Sequence, residues 1–139
     1  MPGHGSNMAS GVEWGAVLGA GSWRLEGESR ITLTAPAVGR LDHALVATGF
    51  NYIPEIRTKQ AEAMAKFLPR IRDIRRIGSA ALDLCAIADG QYDAYVEEGL
   101  HGWALAAAGR LASEPGLVLG APAGCRGNRA LRAAHSSAH

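Results

Sequence analysis

The side chains able to do chemistry are spread thinly along this sequence. Its 13 acidic residues are scattered, no Asp-Pro dipeptide occurs, and His4, His43, His135 and His139 form no convincing ligand cluster, the last two lying in a stretch without pattern. Cys85 and Cys125 stand far apart with no CxxC pair, which argues against a zinc ribbon, a dithiol redox motif and a disulfide framework. A reducing, cytoplasmic compartment is the default for such cysteines. The sequence shows no nucleophile elbow, Walker loop or dinucleotide-binding glycine pattern. Three places remain. Gly78-Ser79, ahead of an apolar run, has the form of a helix start, where an N-cap hydroxyl and free N–H groups lie together. Glu97-Glu98 closes another apolar run, and a solvated carboxylate is the ordinary case there. Arg70, Arg72, Arg75 and Arg76 surround Asp73, which favours an ion-paired surface or subunit contact over a phosphate patch.

The elements that must position these residues follow from periodicity. At 139 residues, 47% hydrophobic and 19% charged, the chain has the composition of one modest soluble domain with a real core. A net charge of +1 gives no electrostatic case for nucleic acid. No apolar stretch approaches the roughly 20 residues of a spanning helix, so no membrane segment is expected. Met1–Ser10 is small and polar and reads as a disordered leader. From Gly11 to Thr34, period-two patterning broken by glycine turns predicts a β-meander. Ala44–Gly49 reads as a buried strand, and Pro54–Leu68 as a helix with an apolar stripe of Ile56, Ala63, Met64 and Phe67, ended by Pro69.

Ile71–Ile77 is a further strand, and Ser79 caps a second helix over Ala80–Ala88 that stops at Gly90. That helix is apolar nearly all round apart from Asp83, as a helix sandwiched inside a domain must be, and Cys85 on it reads as an inert core thiol. A short strand over Tyr92–Val96, a small-residue helix over Trp103–Ala112 and a last strand at Leu117–Leu119 complete the pattern. His101, in the loop before that third helix, suits capping or packing. Residues 120–139 lose pattern and read as a poorly ordered tail. Alternating strands and helices indicate an α/β fold, a mixed sheet with flanking helices.

Three runs carry a specific resemblance. ALVATGF (Ala44–Phe50), RDIRRIGSAALDLC (Arg72–Cys85) and GQYDAYVEEGL (Gly90–Leu100), followed by Trp103, resemble the inositol monophosphatase family, especially its bacterial members. The Gly19–Thr34 stretch looks like the hairpin between that family's two halves. The resemblance covers Val12 to about Leu119 and implies the C-terminal domain of the layered phosphatase fold over residues 11–119.

Members of that family are magnesium-dependent phosphatases of inositol phosphate or related sugar phosphates, and are commonly dimers. Their metals activate a water and stabilise the leaving oxygen, held by clustered carboxylates. Most of those ligands come from a Gly-Glu-Glu-type segment and an Asp-Pro-x-Asp-Gly-Thr motif in the N-terminal half, and neither occurs here. The remaining ligand is the Asp of Trp-Asp-x-Ala-Ala-Gly, which reads Trp103-Ala104-Leu105-Ala106-Ala107-Ala108 in this chain. Ala104 cannot ligate a metal, so no magnesium, no metal ligand and no catalytic residue is expected of this chain alone. The resemblance implies that Gly78, Ser79, Ala80 and Ala81 lie beside the substrate's polyol, and that Glu97 accepts hydrogen bonds from its hydroxyls. The expectation is a truncated, inactive family member. A non-catalytic dimerisation module, or half of a split enzyme completed by a separate N-terminal half, are the rivals.

Overall fold

The computed structural model describes residues 2–34, 40–98, 117–120 and 130–135, with Glu98 and the last two segments described by their backbone. The chain opens with four strands, β1 (Gly3–Asn7), β2 (Val12–Val17), β3 (Gly21–Glu26) and β4 (Ser29–Leu33), joined in sequence order into one antiparallel sheet. The meander is where the alternation places it. Its β3–β4 loop is two residues long, and Gly27 takes a φ of +60° at the first of them, which costs glycine nothing.

β1 falls inside the stretch that reads as a disordered leader. Local composition misleads there because the strand is made by its partners. Every residue from Gly3 to Asn7 pairs with β2, and the buried Gly3 lets the backbone close in beneath a helix. That helix is α2 (Ala80–Ala88), and the cap and stop read from sequence hold. Ser79 Oγ accepts from the Leu82 N–H at 3.4 Å, and Gly90 is left-handed with φ +75°.

The second sheet has five strands in the order β6-β5-β7-β9-β8. β5 (Leu45–Thr48) runs parallel to β6 (Asp73–Arg75) and to β7 (Ala94–Glu98). β9 (Ala130–His135) is antiparallel to both β7 and β8 (Leu117–Gly120). β9 lies within the stretch that reads as a poorly ordered tail. Its ALRAAH sequence carries no strand signal of its own, and it is recruited by the unpaired edge of β7, whose N–H and C=O groups need partners. The helix expected at Trp103–Ala112 falls outside the described residues.

α1 (Pro54–Phe67) connects β5 to β6, and α2 connects β6 back across β5 to β7. The two crossovers step in opposite directions, so right-handed connections put α1 and α2 on opposite faces of the sheet. α2 packs on β5, β7 and β9 and, on its other side, on β1. It is a layer between two sheets, which is why Asp83, Leu84, Cys85, Ala86, Ile87 and Ala88 are all buried. Trp14, Ala16 and Leu33 meet it from one sheet, Ala47 and Tyr95 from the other. α1 behaves differently. Ile56, Met64 and Phe67 of its apolar stripe are only half-buried, Ala63 is exposed, and no residue of the helix is buried.

Among the described residues an ion pair ties the layers. Arg24 Nη1 of β3 sits 2.7 Å from Asp89 Oδ2 just beyond α2, and the Asp89 side chain is only 6% exposed. Among the described residues no helix is long and apolar enough to cross a membrane.

Candidate functional site

The order β6-β5-β7 places the reversal of winding between β5 and β7. A crevice opens at such a switch point, outside the carboxyl ends of the two strands, and ligands of open α/β sheets bind there. The two ends are fastened together, with Thr48 Oγ1 donating to the Val96 carbonyl at 2.8 Å. Beyond them stand Gly49 after β5 and Glu97 near the end of β7. Tyr95 and Glu97 are two residues apart on one strand and so share a face. Tyr95 is fully buried in the core against α2, hence Glu97 also faces the α2 side.

Glu97 is held from two directions. The Tyr95 hydroxyl donates a hydrogen bond to its Oε2. Gly49 makes room for it, since a methyl group at that position would land on the Glu97 carboxylate. Burial, then the hydrogen bond to Glu97, pushes the Tyr95 phenol far above the ordinary tyrosine range, so it stays a donor.

The start of α2 comes to the same edge, because the helix begins where β6 ends. Gly78 turns the chain with a φ of +94° and is exposed, as is Ala81, while Ser79 and Ala80 are half-buried. Two residues of this helix start, Gly78 and Ala81, are therefore open among the described residues. One turn in lies Asp83, 2% exposed, whose Oδ1 has no hydrogen-bond partner among the described residues. Burial raises its carboxyl to about 6, the Ile77 backbone amide opposes this, the Glu97 charge adds to it, and Arg76 opposes it. On the same helix, burial pushes the Cys85 thiol up to about 12, as an inert core thiol requires.

The five residues singled out from sequence, Gly78, Ser79, Ala80, Ala81 and Glu97, thus stand at one edge of one sheet. Gly49, Tyr95 and Asp83 were not among them. A lone acid in a helix otherwise apolar all round was the available signal for Asp83, because such a residue is seldom fully buried without a purpose. Asp93 is at the opposite edge, where its Oδ2 accepts from the Leu45 N–H at 2.7 Å and pins the starts of β5 and β7 together. Arg75 pairs with Asp73 at 2.5 Å on the surface, and this pairing holds the Asp73 carboxyl below its usual range. Among the described residues no three His, Cys, Asp or Glu side chains gather as a metal site. Trp103, Ala104 and the rest of that segment lie outside the described residues.

The sequence pattern of the inositol monophosphatase family matches residues 6–138. A Mycobacterium tuberculosis protein named inositol-1-monophosphatase SuhB is 42% identical over 111 residues, 80% of this chain and 38% of that protein. An inositol-1-monophosphatase of Mycobacterium leprae is 48% identical over 90 residues, 65% of this chain and 31% of that protein. The solved structure of Mycobacterium tuberculosis SuhB superposes with a TM-score of 0.88 at 38% identity, covering 99% of this chain and 54% of that one. The chain therefore spans well under half the length of these curated relatives and about half of that solved structure.

Proposed function

This chain belongs to the inositol monophosphatase family, and we propose that it forms the polyol-recognition side of a phosphomonoester site without carrying out hydrolysis by itself. The observation that supports this reading is the seating of Glu97. A carboxylate backed by Gly49 and held by the Tyr95 hydroxyl at a switch-point crevice is a fixed acceptor for sugar hydroxyls. The first turn of α2, with Gly78, Ser79, Ala80 and Ala81, brings the N–H groups of a helix start to the same edge.

Magnesium does not fit the described residues. No three His, Cys, Asp or Glu side chains gather among them, and hexacoordinate magnesium wants open, hard oxygen ligands. On this reading magnesium leaves the melting temperature unchanged, whereas a specific site at about a hundredfold excess would add about 2.7 kcal/mol.

The direct test is an amide-shift titration of the chain with myo-inositol and, separately, with inorganic phosphate. Shifts confined to Gly49, Gly78–Ala81 and Glu97 with inositol, lost in Glu97→Gln, are the expected result. Inositol shifts that persist unchanged in Glu97→Gln would remove the basis for the assignment.

A partner surface is a second reading, favoured by the exposure of Tyr52 at 85%, Ile53 at 52% and Ile77 at 52% beyond the same strand ends. A second copy of the chain or a separate N-terminal half would cover it. Light scattering across a concentration series tests the first, and co-purification with an N-terminal half of a relative tests the second. The buried free thiol of Cys85 agrees with a cytoplasmic location.

A further inference from the structure

The loop that carries the chain from β5 into α1 holds two apolar side chains in water, and its polar groups keep them there. The Asn51 N–H donates to Gln60 Oε1 of α1 at 2.8 Å, and the Asn51 side-chain oxygen accepts from the Ile53 N–H at 2.9 Å. The Arg57 guanidinium lies 5.9 Å from the centre of the Phe50 ring, a cation–π contact that braces the loop from the helix side. Tyr52 and Ile53 therefore stand out on a fastened turn, and Ile77 is exposed after the neighbouring strand. Exposed apolar side chains grouped in this way mark a contact surface. The charge around them says of what kind. Between Gly49 and Gly78 lie seven of the chain's 14 lysines and arginines and only three of its 13 acids, although the whole chain has a net charge of +1. All seven cations are exposed, and Arg75 alone has a carboxylate partner among the described residues, Asp73. A second copy docked here about a twofold axis would set like charges against each other. An anionic surface is instead attracted, over about 10 Å at ordinary ionic strength.

The same edge carries the polyol acceptor. β6, β5 and β7 are neighbouring parallel strands about 5 Å apart, and Ile77, the Tyr52-Ile53 pair and Glu97 stand at or just beyond their carboxyl ends. Resting on the polyol reading of the Glu97 site, we propose that this edge docks on an anionic membrane surface, and that the polyol taken by Glu97 is the headgroup of a phospholipid. Such a lipid unites three chemistries that the edge presents separately. Its hydroxyls meet Glu97, its phosphate meets the unpaired Arg57 and Arg76, and the boundary of its acyl chains receives Tyr52, Ile53 and Ile77. A folded acidic protein needs a groove cut to fit the two loop side chains. A headgroup layer deforms around them and leaves the tyrosine hydroxyl at headgroup depth. Among the described residues no helix is long and apolar enough to cross a membrane, and this contact needs none.

The intact chain is sedimented with vesicles of phosphatidylcholine, of phosphatidylcholine with phosphatidylserine, and of phosphatidylcholine with phosphatidylinositol at the same charge density. The first should retain nothing and the second should bind in a salt-sensitive way. The third should bind about tenfold more tightly than the second, as hydrogen bonds to a charged acceptor allow. Glu97→Gln should abolish the preference for the inositol lipid and keep the binding to the serine lipid. Tyr52→Ser together with Ile53→Ser should weaken both by about tenfold or more, while the amide shifts caused by free myo-inositol persist. Both positions are exposed, so the double variant keeps its fold. Equal binding to the two anionic lipids overturns the headgroup assignment. Vesicle binding that is absent, or unchanged in the double variant, overturns the whole inference and leaves the polyol reading standing as long as free inositol still binds. A dimer in solution that the double variant dissociates assigns the surface to a second copy and also overturns it. Absence of amide shifts with free myo-inositol overturns the polyol reading as well.

Discussion

Replacing Asp83 by asparagine keeps the shape of the side chain and removes its charge, so it isolates the energetic consequence of burying a carboxyl inside α2. The folded chain raises this carboxyl from 3.8 to about 6, chiefly by burial. Below the unfolded value both states are protonated and Asp83 costs nothing. As pH rises between the two values, the unfolded chain releases a proton that the folded chain keeps, and stability falls. Above about pH 6 the loss is complete. A difference of about two units corresponds to about 3 kcal/mol, a large share of the roughly 5–15 kcal/mol that holds a small domain together.

Asp42 and Asp73 pull the other way, because their arginine partners lower them and favour folding at higher pH. Both remain in the variant, so the difference between the two proteins reports Asp83 alone. The assay is urea unfolding at closely spaced pH values from about 3.5 to 7.5. Asp83→Asn should gain on the natural sequence steadily through this window and level off above about pH 6.5. A difference that is constant with pH would refute the reasoning, because it would mean that Asp83 does not hold its proton in the folded state.

Other consequences follow from single contacts. Gly49→Ala puts a methyl on the Glu97 carboxylate and should weaken inositol binding by about tenfold or more, measured by the same amide-shift titration, with the meander resonances unmoved. Gly15→Ala drives a methyl into the Trp23 indole stacked across the β2–β3 pair and should cost about 1–3 kcal/mol in urea unfolding. Arg24→Met leaves Asp89 buried without its cation and should destabilise by about 3 kcal/mol, with little rescue by salt because the pair is shielded. Ala104→Asp should leave magnesium-dependent phosphatase activity at background, since one carboxylate cannot clamp both attacking and leaving oxygens. Turnover by that variant alone would show that the remaining acids assemble a metal site.

Much of this protein is legible without coordinates where the signal is local. Ser79 and Gly90 bracket α2 because a cap hydroxyl and a left-handed glycine act within one turn of the residues they serve. The apolar circumference of that helix announces that it is covered on two sides, and the glycine turns place β2, β3 and β4. The runs from Ala44 to Leu100 were sufficient to identify the family. What the sequence could not show is whatever depends on a partner distant along the chain. β1 is built from glycine and polar residues and β9 largely from alanine, with little strand preference, and the hydrogen-bonding needs of β2, β7 and β8 make them strands. The packing of Leu84 and Ile87 with Tyr95 is of the same kind. The first two sit on a helix and the third on a strand, and their meeting is set by the order of the strands in the sheet. Periodicity reports which face a residue lies on, while sheet order decides what that face will meet.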